Sequence, residues 1–355
     1  MISWGVRRGR ERAWGAVASE LGLTAADGAV HGLLEGQQVH LRLERRGVSG
    51  GETVHTVASG ILSLPLDLGL DVGPEAPWDD LLAGGQGGDP VRTGDPAFDM
   101  GFQIRADEPN RARALLTPAL RDTLRRCGDL VRLTDLGVSL SHRGACLDPA
   151  WIRWALRNAA NVATLVDNAR RRVPLATPLA GHRPGWRQLA AELGLNSTRA
   201  PLGVWGAFEG SPICAYAART GPLAYGLEVA VRFERPLGVD LRIKPAGAID
   251  ALCAMLGGDD RRVGDPAFDR VFSVRCARSD RLPGVLDAEA RERLLELSRR
   301  AGAVRVLDEG VSVRAPVLPA EPQAVLELVA QIRDAVARLE RNARSGQERR
   351  VGPYR

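Results

Sequence analysis

Apolar and polar residues alternate at Val39-His40-Leu41-Arg42-Leu43-Glu44. That is the period of a half-buried strand, because successive side chains of a strand point to opposite faces. Val54–Val57 and Leu66–Val72 read as further strands, and Ile213–Ala218, Tyr225–Phe233 and Val239–Ile243 as strands later in the chain. Elsewhere the period is helical. Ala13, Val17, Ala18 and Leu21 share one stripe over Arg12–Leu21, stopped by Gly22. Val325, Leu328, Ile332, Val336 and Leu339 mark a long amphipathic helix, and Trp151, Ala155, Val162 and Val166 mark an earlier one. Thr117 before Pro118, and Asp287 before Ala288, predict capped helix starts. Strand pairs follow, one at Leu130–Thr134 and Val138–Ser141 around Asp135-Leu136-Gly137, with a matching turn at Asp308-Glu309-Gly310.

These elements occur twice in one order. Gly94-Asp95-Pro96-Ala97-Phe98-Asp99 returns as Gly264-Asp265-Pro266-Ala267-Phe268-Asp269. Trp14 aligns with Trp186, Phe102 with Phe272, Arg105 with Arg275, and Val131-Arg132-Leu133 with Val304-Arg305-Val306. A period this long is that of a duplicated domain rather than a solenoid unit. The copies fall at 10–172 and 184–345, with a Pro- and Gly-rich linker at 173–183 and a basic tail at 346–355. The predicted fold class is α+β: a tandem duplication of a module with mostly antiparallel sheet, an internal helix and a long C-terminal amphipathic helix. The element order resembles that of pleckstrin-homology-like barrels. In the repeated motif, Asp95 before Pro96 predicts a turn that opens a strand. Phe98, Met100, Phe102 and Ile104 then share one face, as do Phe268, Arg270, Phe272 and Val274.

The block Gly94–Gly144 carries an acidic-Pro-x-Phe-acidic motif, the segment Ala112-Arg113-Ala114-Leu115-Leu116-Thr117-Pro118-Ala119-Leu120 and a β-pair. In these it resembles an uncharacterised bacterial domain family of unknown function. The second copy, with Leu282-Pro283-Gly284-Val285-Leu286-Asp287, fits more loosely. The resemblance implies a fold relationship and no reaction. Many members of that family carry membrane-spanning segments, whereas this chain has no apolar run of the roughly 18 residues a spanning helix needs.

Hydrophobic residues make up 45% of the chain, as expected of a soluble protein. Met1–Trp14 is arginine-rich and lacks the apolar core of a signal peptide, so the expected setting is a bacterial cytoplasm. The five cysteines (Cys127, Cys146, Cys214, Cys253 and Cys276) are scattered, without metal spacing, and read as reduced packing residues. Lys244 is the only lysine, a bias of the kind a GC-rich genome produces. The net charge of +5 resides in the ends: residues 1–12 carry +3 and 338–355 carry +4, which leaves −2 for the rest. Basic ends of this kind are expected to be solvated tails; the alternative is contact with nucleic acid or an anionic membrane surface.

Candidate chemistry is sparse. The pairs Asp95 with Asp99 and Asp265 with Asp269 have the residue types for acid–base work or cation binding, since two carboxylates in unlike environments divide those roles. Their structural reading is local capping beside a buried phenylalanine. His31, His40 and His55 lie on three successive strand candidates and would bind zinc if they converged. The second copy has Trp205 and Cys214 where His31 and His40 align. The Gly84–Gly88 loop and its counterpart Gly257-Gly258 lack the Lys-Ser/Thr of a phosphate loop. No cofactor is expected. The chain reads as a non-catalytic binding or scaffolding protein, its partner a protein. The alternatives are a metal-dependent hydrolase using the Asp pairs or the His trio, and an anionic-surface binder using the Arg-rich termini.

Overall fold

The computed structural model describes residues 4–26, 28–48, 51–74, 89–221, 224–235, 237–239, 241–246, 263–276 and 278–348. Cys253, the Gly84–Gly88 loop, Gly257-Gly258 and residues 349–355 of the basic tail lie outside the described residues. The chain divides into two compact units, Met1–Leu175 with Arg199–Pro201 and Ala176–Thr198 with Leu202–Arg355.

The first sheet contains β1 (Thr24–Ala26), β2 (Ala29–Leu34), β3 (Gln37–Val48), β4 (Gly51–Ile61), β5 (Asp71–Pro74), β6 (Asp89–Pro90), β7 (Phe102–Ala106), β8 (Val131–Thr134) and β9 (Gly137–Arg143). Their spatial order is β1-β2-β3-β4-β9-β8-β5-β7-β6. The helices of this unit are α1 (Trp4–Glu20), α2 (Pro96–Asp99), α3 (Pro109–Leu115), α4 (Pro118–Cys127) and α5 (Pro149–Ala169). The second sheet contains β10 (Asn196–Arg199), β11 (Leu202–Phe208), β12 (Ser211–Arg219), β13 (Tyr225–Arg232), β14 (Arg242–Pro245), β15 (Phe272–Arg275), β16 (Ala303–Leu307) and β17 (Gly310–Ala315). Its order is β10-β11-β12-β13-β17-β16-β14-β15. Its helices are α6 (Arg183–Leu193), α7 (Pro266–Val271), α8 (Leu282–Val285), α9 (Ala288–Ala301) and α10 (Pro322–Glu348).

The order β2-β3-β4-β9-β8-β5-β7 in one sheet matches β11-β12-β13-β17-β16-β14-β15 in the other, and the ladders are antiparallel. The fold is therefore α+β with two similar modules. The closure implied by a pleckstrin-homology-like barrel is not seen: among the described residues each sheet runs in open order.

One sheet face of each unit is covered by its long helix. On α5, Ile152, Ala155, Leu156, Ala159, Ala163 and Val166 are buried. Five of the helix's buried positions are alanine, which lets the backbone approach closely, and Gly60 on β4 completes the fit. A Cβ at Gly60 would lie 2.3 Å from the Ala159 carbonyl oxygen. At the same ladder position the second unit has Val231, under a helix lined by Val325, Leu328, Ile332, Val336 and Leu339.

Three expectations change. Helix α1 starts at Trp4, so Arg8, Arg10 and Arg12 belong to a helix, and Arg10 lies over the Trp14 ring at 5.4 Å. Helix α10 runs to Glu348, with Arg338 paired to Asp287 and Glu289 and Arg344 to Glu234. Both basic ends are thus partly built into the modules rather than carried as tails. The segment Leu66–Val72 is a strand only from Asp71. Leu62, Leu64, Leu66, Leu68 and Leu70 are buried with strand-like alternation, but their backbone partners lie elsewhere. Asp135, in the β8–β9 turn, accepts from the amides of Leu68, Gly69 and Leu70 at 2.8–3.2 Å. Asp308 repeats this with Gly238, Val239 and Leu241.

Candidate functional site

The repeated Asp-Pro-x-Phe-Asp motif forms a corner, and its helical turn replaces the strand expected there. Asp95 has extended backbone and its carboxylate accepts from the Phe98 amide at 3.2 Å, while Pro96 opens the turn. Asp265 does the same for Ala267 and Phe268, at 3.1 and 3.2 Å. An N-cap followed by proline starts a helix because proline has no amide to satisfy and a preset φ. Met100 is therefore turned outward at 79% exposure, and Arg270 is also exposed, so neither shares the phenylalanine face. Phe98 and Phe102 meet across the turn with ring centres 4.6 Å apart, and Phe268 and Phe272 with centres 4.8 Å apart. All four are buried.

The second carboxylate oxygen of each cap is held by an arginine. Arg121 Nε donates to Asp95 at 3.2 Å, and Arg291 Nε donates to Asp265 at 3.2 Å. The other acidic residue of the motif closes the loop before the corner. Asp99 accepts from the Thr93 amide at 3.0 Å, the Thr93 hydroxyl at 2.8 Å and the Gly94 amide at 3.2 Å. Asp269 accepts from the Val263 amide at 2.9 Å.

These donors decide the charge state. Burial pulls the Asp95 carboxyl upward, but the Phe98 amide with Arg121 and Arg125 outweighs it and holds the group below its ordinary range. Burial likewise opposes the Thr93 and Gly94 donors at Asp99, and the donors win. At Asp265 the Phe268 amide leads, burial opposes it, and Arg291 adds to the lowering. Carboxylates held ionised by caps and arginines hold the backbone in place. A general acid needs the opposite shift.

The histidines do not converge. His31 and His40 face each other across β2 and β3 with ring centres 6.3 Å apart. His40 stands opposite Ser59, whereas His55 lies four residues along β4, opposite Glu44. That separation is about 13 Å at the usual strand rise. Gln38 contacts the His40 ring and Thr53 the His55 ring, at 3.2 and 3.1 Å. Among the described residues no group of three or more His, Cys, Asp or Glu side chains is arranged to hold a metal ion. Trp205 opposite Cys214 repeats the His31–His40 ladder position, as the alignment of the copies anticipates. Burial pushes the Cys214 thiol up to about 11 and raises those of Cys127 and Cys146. These thiols pack and stay protonated.

Two pairs of residues escape a reading of the motif alone: Arg121 with Arg291, and Asp135 with Asp308. For the first there is a signal, since each arginine lies four residues after its helix cap, Thr117 or Asp287.

No helix among the described residues is long and apolar enough to cross a membrane. No family model matches the chain, and no curated protein matches it. Among solved structures it is similar to the mycobacterial trehalose monomycolate transport factor A, TtfA, at 12% identity and a TM-score of 0.29, over 46% of this chain and 94% of that one. A likeness that slight bears on neither fold nor function.

Proposed function

We propose that the chain is a non-catalytic binding or scaffolding protein of two homologous modules, with a protein as partner. One observation carries this reading. The acidic residues of the repeated motif, Asp95, Asp99, Asp265 and Asp269, are all engaged in holding backbone. The sheet faces away from the long helices differ between copies, as at His31–His40 and Trp205–Cys214. A duplicated framework with divergent surfaces suits recognition, in which surfaces specify the partner. A cytoplasmic bacterial setting and kinship with the uncharacterised bacterial domain family belong to the same proposal. Buried, protonated thiols suit a reducing compartment.

Cross-linking in cells followed by mass spectrometry is expected to return reproducible links to one protein partner. Stoichiometric zinc in the purified protein, lost on joint replacement of His31, His40 and His55, would overturn the proposal.

A further inference from the structure

Leu33, Gln38, Ile61 and Gly137 stand directly opposite one another at one end of the first sheet. They share the face away from α5, because Gly60, next to Ile61, is the residue that meets Ala159. The row spans three strand spacings from β2 to β9, about 14 Å. A leucine stands at each end of it. Leu33 is 69% exposed, and Leu136, in the turn beside Gly137, is 68% exposed. Ile61 between them is half-buried. The second unit has Ala207, Arg232 and Glu309 at the matching positions. The fold therefore does not require an apolar row here.

Charges at the same end differ between the copies as well. The C-terminal end of α5 lies against these strand ends, since Asp167 accepts from Gln37 at 3.2 Å and from Ser63 at 2.8 Å. In the second unit Arg344 of α10 pairs with Glu234 at 2.8 Å, and Arg333 pairs with Glu209. The first unit keeps one member of each pair, Arg171 and Glu35, and has Ser63 and Ala160 in place of the other members. Arg171, Arg172 and Glu35 are exposed, and none of them forms an ion pair among the described residues.

We propose that this end of the first unit docks an amphipathic helix of a partner protein. Its apolar stripe lies along Leu33, Ile61 and Leu136, with acids against Arg171 and Arg172 and a base against Glu35. The proposal rests on the binding-protein reading and names the shape and chemistry of the partner. Ten helical residues cover about 15 Å, so about three turns span the row. Anchors at helical spacing supply the apolar contacts, and charges of both signs fix the register. The mixed charge favours protein over membrane, because Glu35 beside Leu33 would be pressed against anionic headgroups, and insertion takes a broad apolar face. A phosphate backbone offers the leucines nothing apolar to bury against.

The test uses the full chain and a fluorescent synthetic peptide of about fifteen residues, read by anisotropy. The peptide carries leucines at i, i+3, i+7 and i+10, glutamates on one flank and a lysine at one end. Joint Leu33→Ala and Leu136→Glu copy the second unit at exposed positions, so the fold is expected to tolerate them; circular dichroism melting checks this. They should weaken binding at least about tenfold. Joint Arg171→Ala and Arg172→Ala should weaken it several-fold. Met100→Ser, on the distant corner, should leave it unchanged. Absence of peptide binding, or binding that survives the two leucine replacements, overturns the proposal. Tighter binding of phosphatidylserine vesicles or duplex DNA than of the peptide also overturns it, as does self-association that the same replacements abolish. If the leucine variant still cross-links to the wild-type partner in cells, this surface is wrong and the binding-protein reading stands.

Discussion

Arg121 joins two stretches of backbone through one side chain: its Nε donates to the Asp95 carboxylate and its Nη1 to the Leu116 carbonyl at 2.7 Å. Arg291 repeats both bonds, to Asp265 and to the Leu286 carbonyl at 2.9 Å. The partners are 26 residues apart in each copy. Each arginine ties the corner helix to the start of the next long helix. It also takes up the carbonyl that the preceding turn leaves without a helical partner.

A lysine cannot make both bonds, because its single ammonium lacks the planar fork. Arg121→Lys and Arg291→Lys are therefore expected to lower the thermal midpoint almost as far as the alanine variants do. Differential scanning calorimetry checks this; a lysine variant as stable as the wild type would refute the clamp.

The clamp and the caps also set the acid limb of stability. Asp95, Asp99, Asp265 and Asp287 have carboxyls held below their ordinary range. A group whose folded pKa is depressed contributes fully above its unfolded pKa, and the contribution is lost as pH falls through the folded value. Urea midpoints should thus be level down to about pH 4 and decline below it. Joint Asp95→Asn and Asp265→Asn should start lower and decline less steeply.

Phe98 and Phe268 are fully buried, Phe98 stacked on Phe102 and Phe268 packed at a tilt of 38° against Phe272. Truncation to alanine removes the ring and leaves a cavity under the corner, at a cost of about 3–5 kcal/mol. Met100→Ser, on the exposed side of the same turn, is expected to fall within about 0.5 kcal/mol of wild type. Chemical denaturation of the three variants distinguishes them.

Gly60 and Gly15 should respond in opposite directions. A valine at Gly60 meets the Ala159 carbonyl and Ala163 and must push α5 off the sheet, a loss of about 1–3 kcal/mol. Gly15 lies inside α1 with nothing within 4 Å of an added Cβ. Gly15→Ala should stabilise by about 0.5–1 kcal/mol through helix propensity. Equal and destabilising effects in thermal melts would count against the close helix–sheet approach.

Local signals were legible in the residues, and distant ones were not. Thr117 and Asp287 cap their helices as their sequences announce, accepting from Leu120 and Ala290. The strand pairs around Asp135 and Asp308 form where the turn residues place them. The corner misled because Phe98 and Phe102 are four apart, a spacing that fits a strand face and a helical turn equally well. The cap and proline decide for the turn, and the same signature is correctly read at Thr117-Pro118. The His trio lay on neighbouring strands, but register along the strands, which sequence parity leaves open, kept His55 away. The arginine clamp needed the 26-residue closure of a chain that sequence alone does not fold.

Asp135 carries the most distant of these contacts. Its carboxylate serves the amides of Leu68, Gly69 and Leu70, more than sixty residues earlier, while the leucines of that segment fill the core. The segment forms no ladder there, so these amides have no strand partner to fall back on. Burial pushes the Asp135 carboxyl up, against the lowering effect of the Leu70, Leu68 and Gly69 amides. Removing the carboxylate leaves donors beneath a packed surface, each costing about 1–3 kcal/mol. Asp135→Ala is therefore expected to lose more stability than Asp135→Asn, which keeps one acceptor oxygen. Hydrogen exchange gives the residue-level check: the amides of Leu68, Gly69 and Leu70 should exchange far faster in Asp135→Ala, while those of β3 and β4 keep their protection. Unchanged protection at the three amides would mean that the leucines alone hold the segment. Asp308→Ala should reproduce the pattern at Gly238, Val239 and Leu241, where the second copy makes the same bonds.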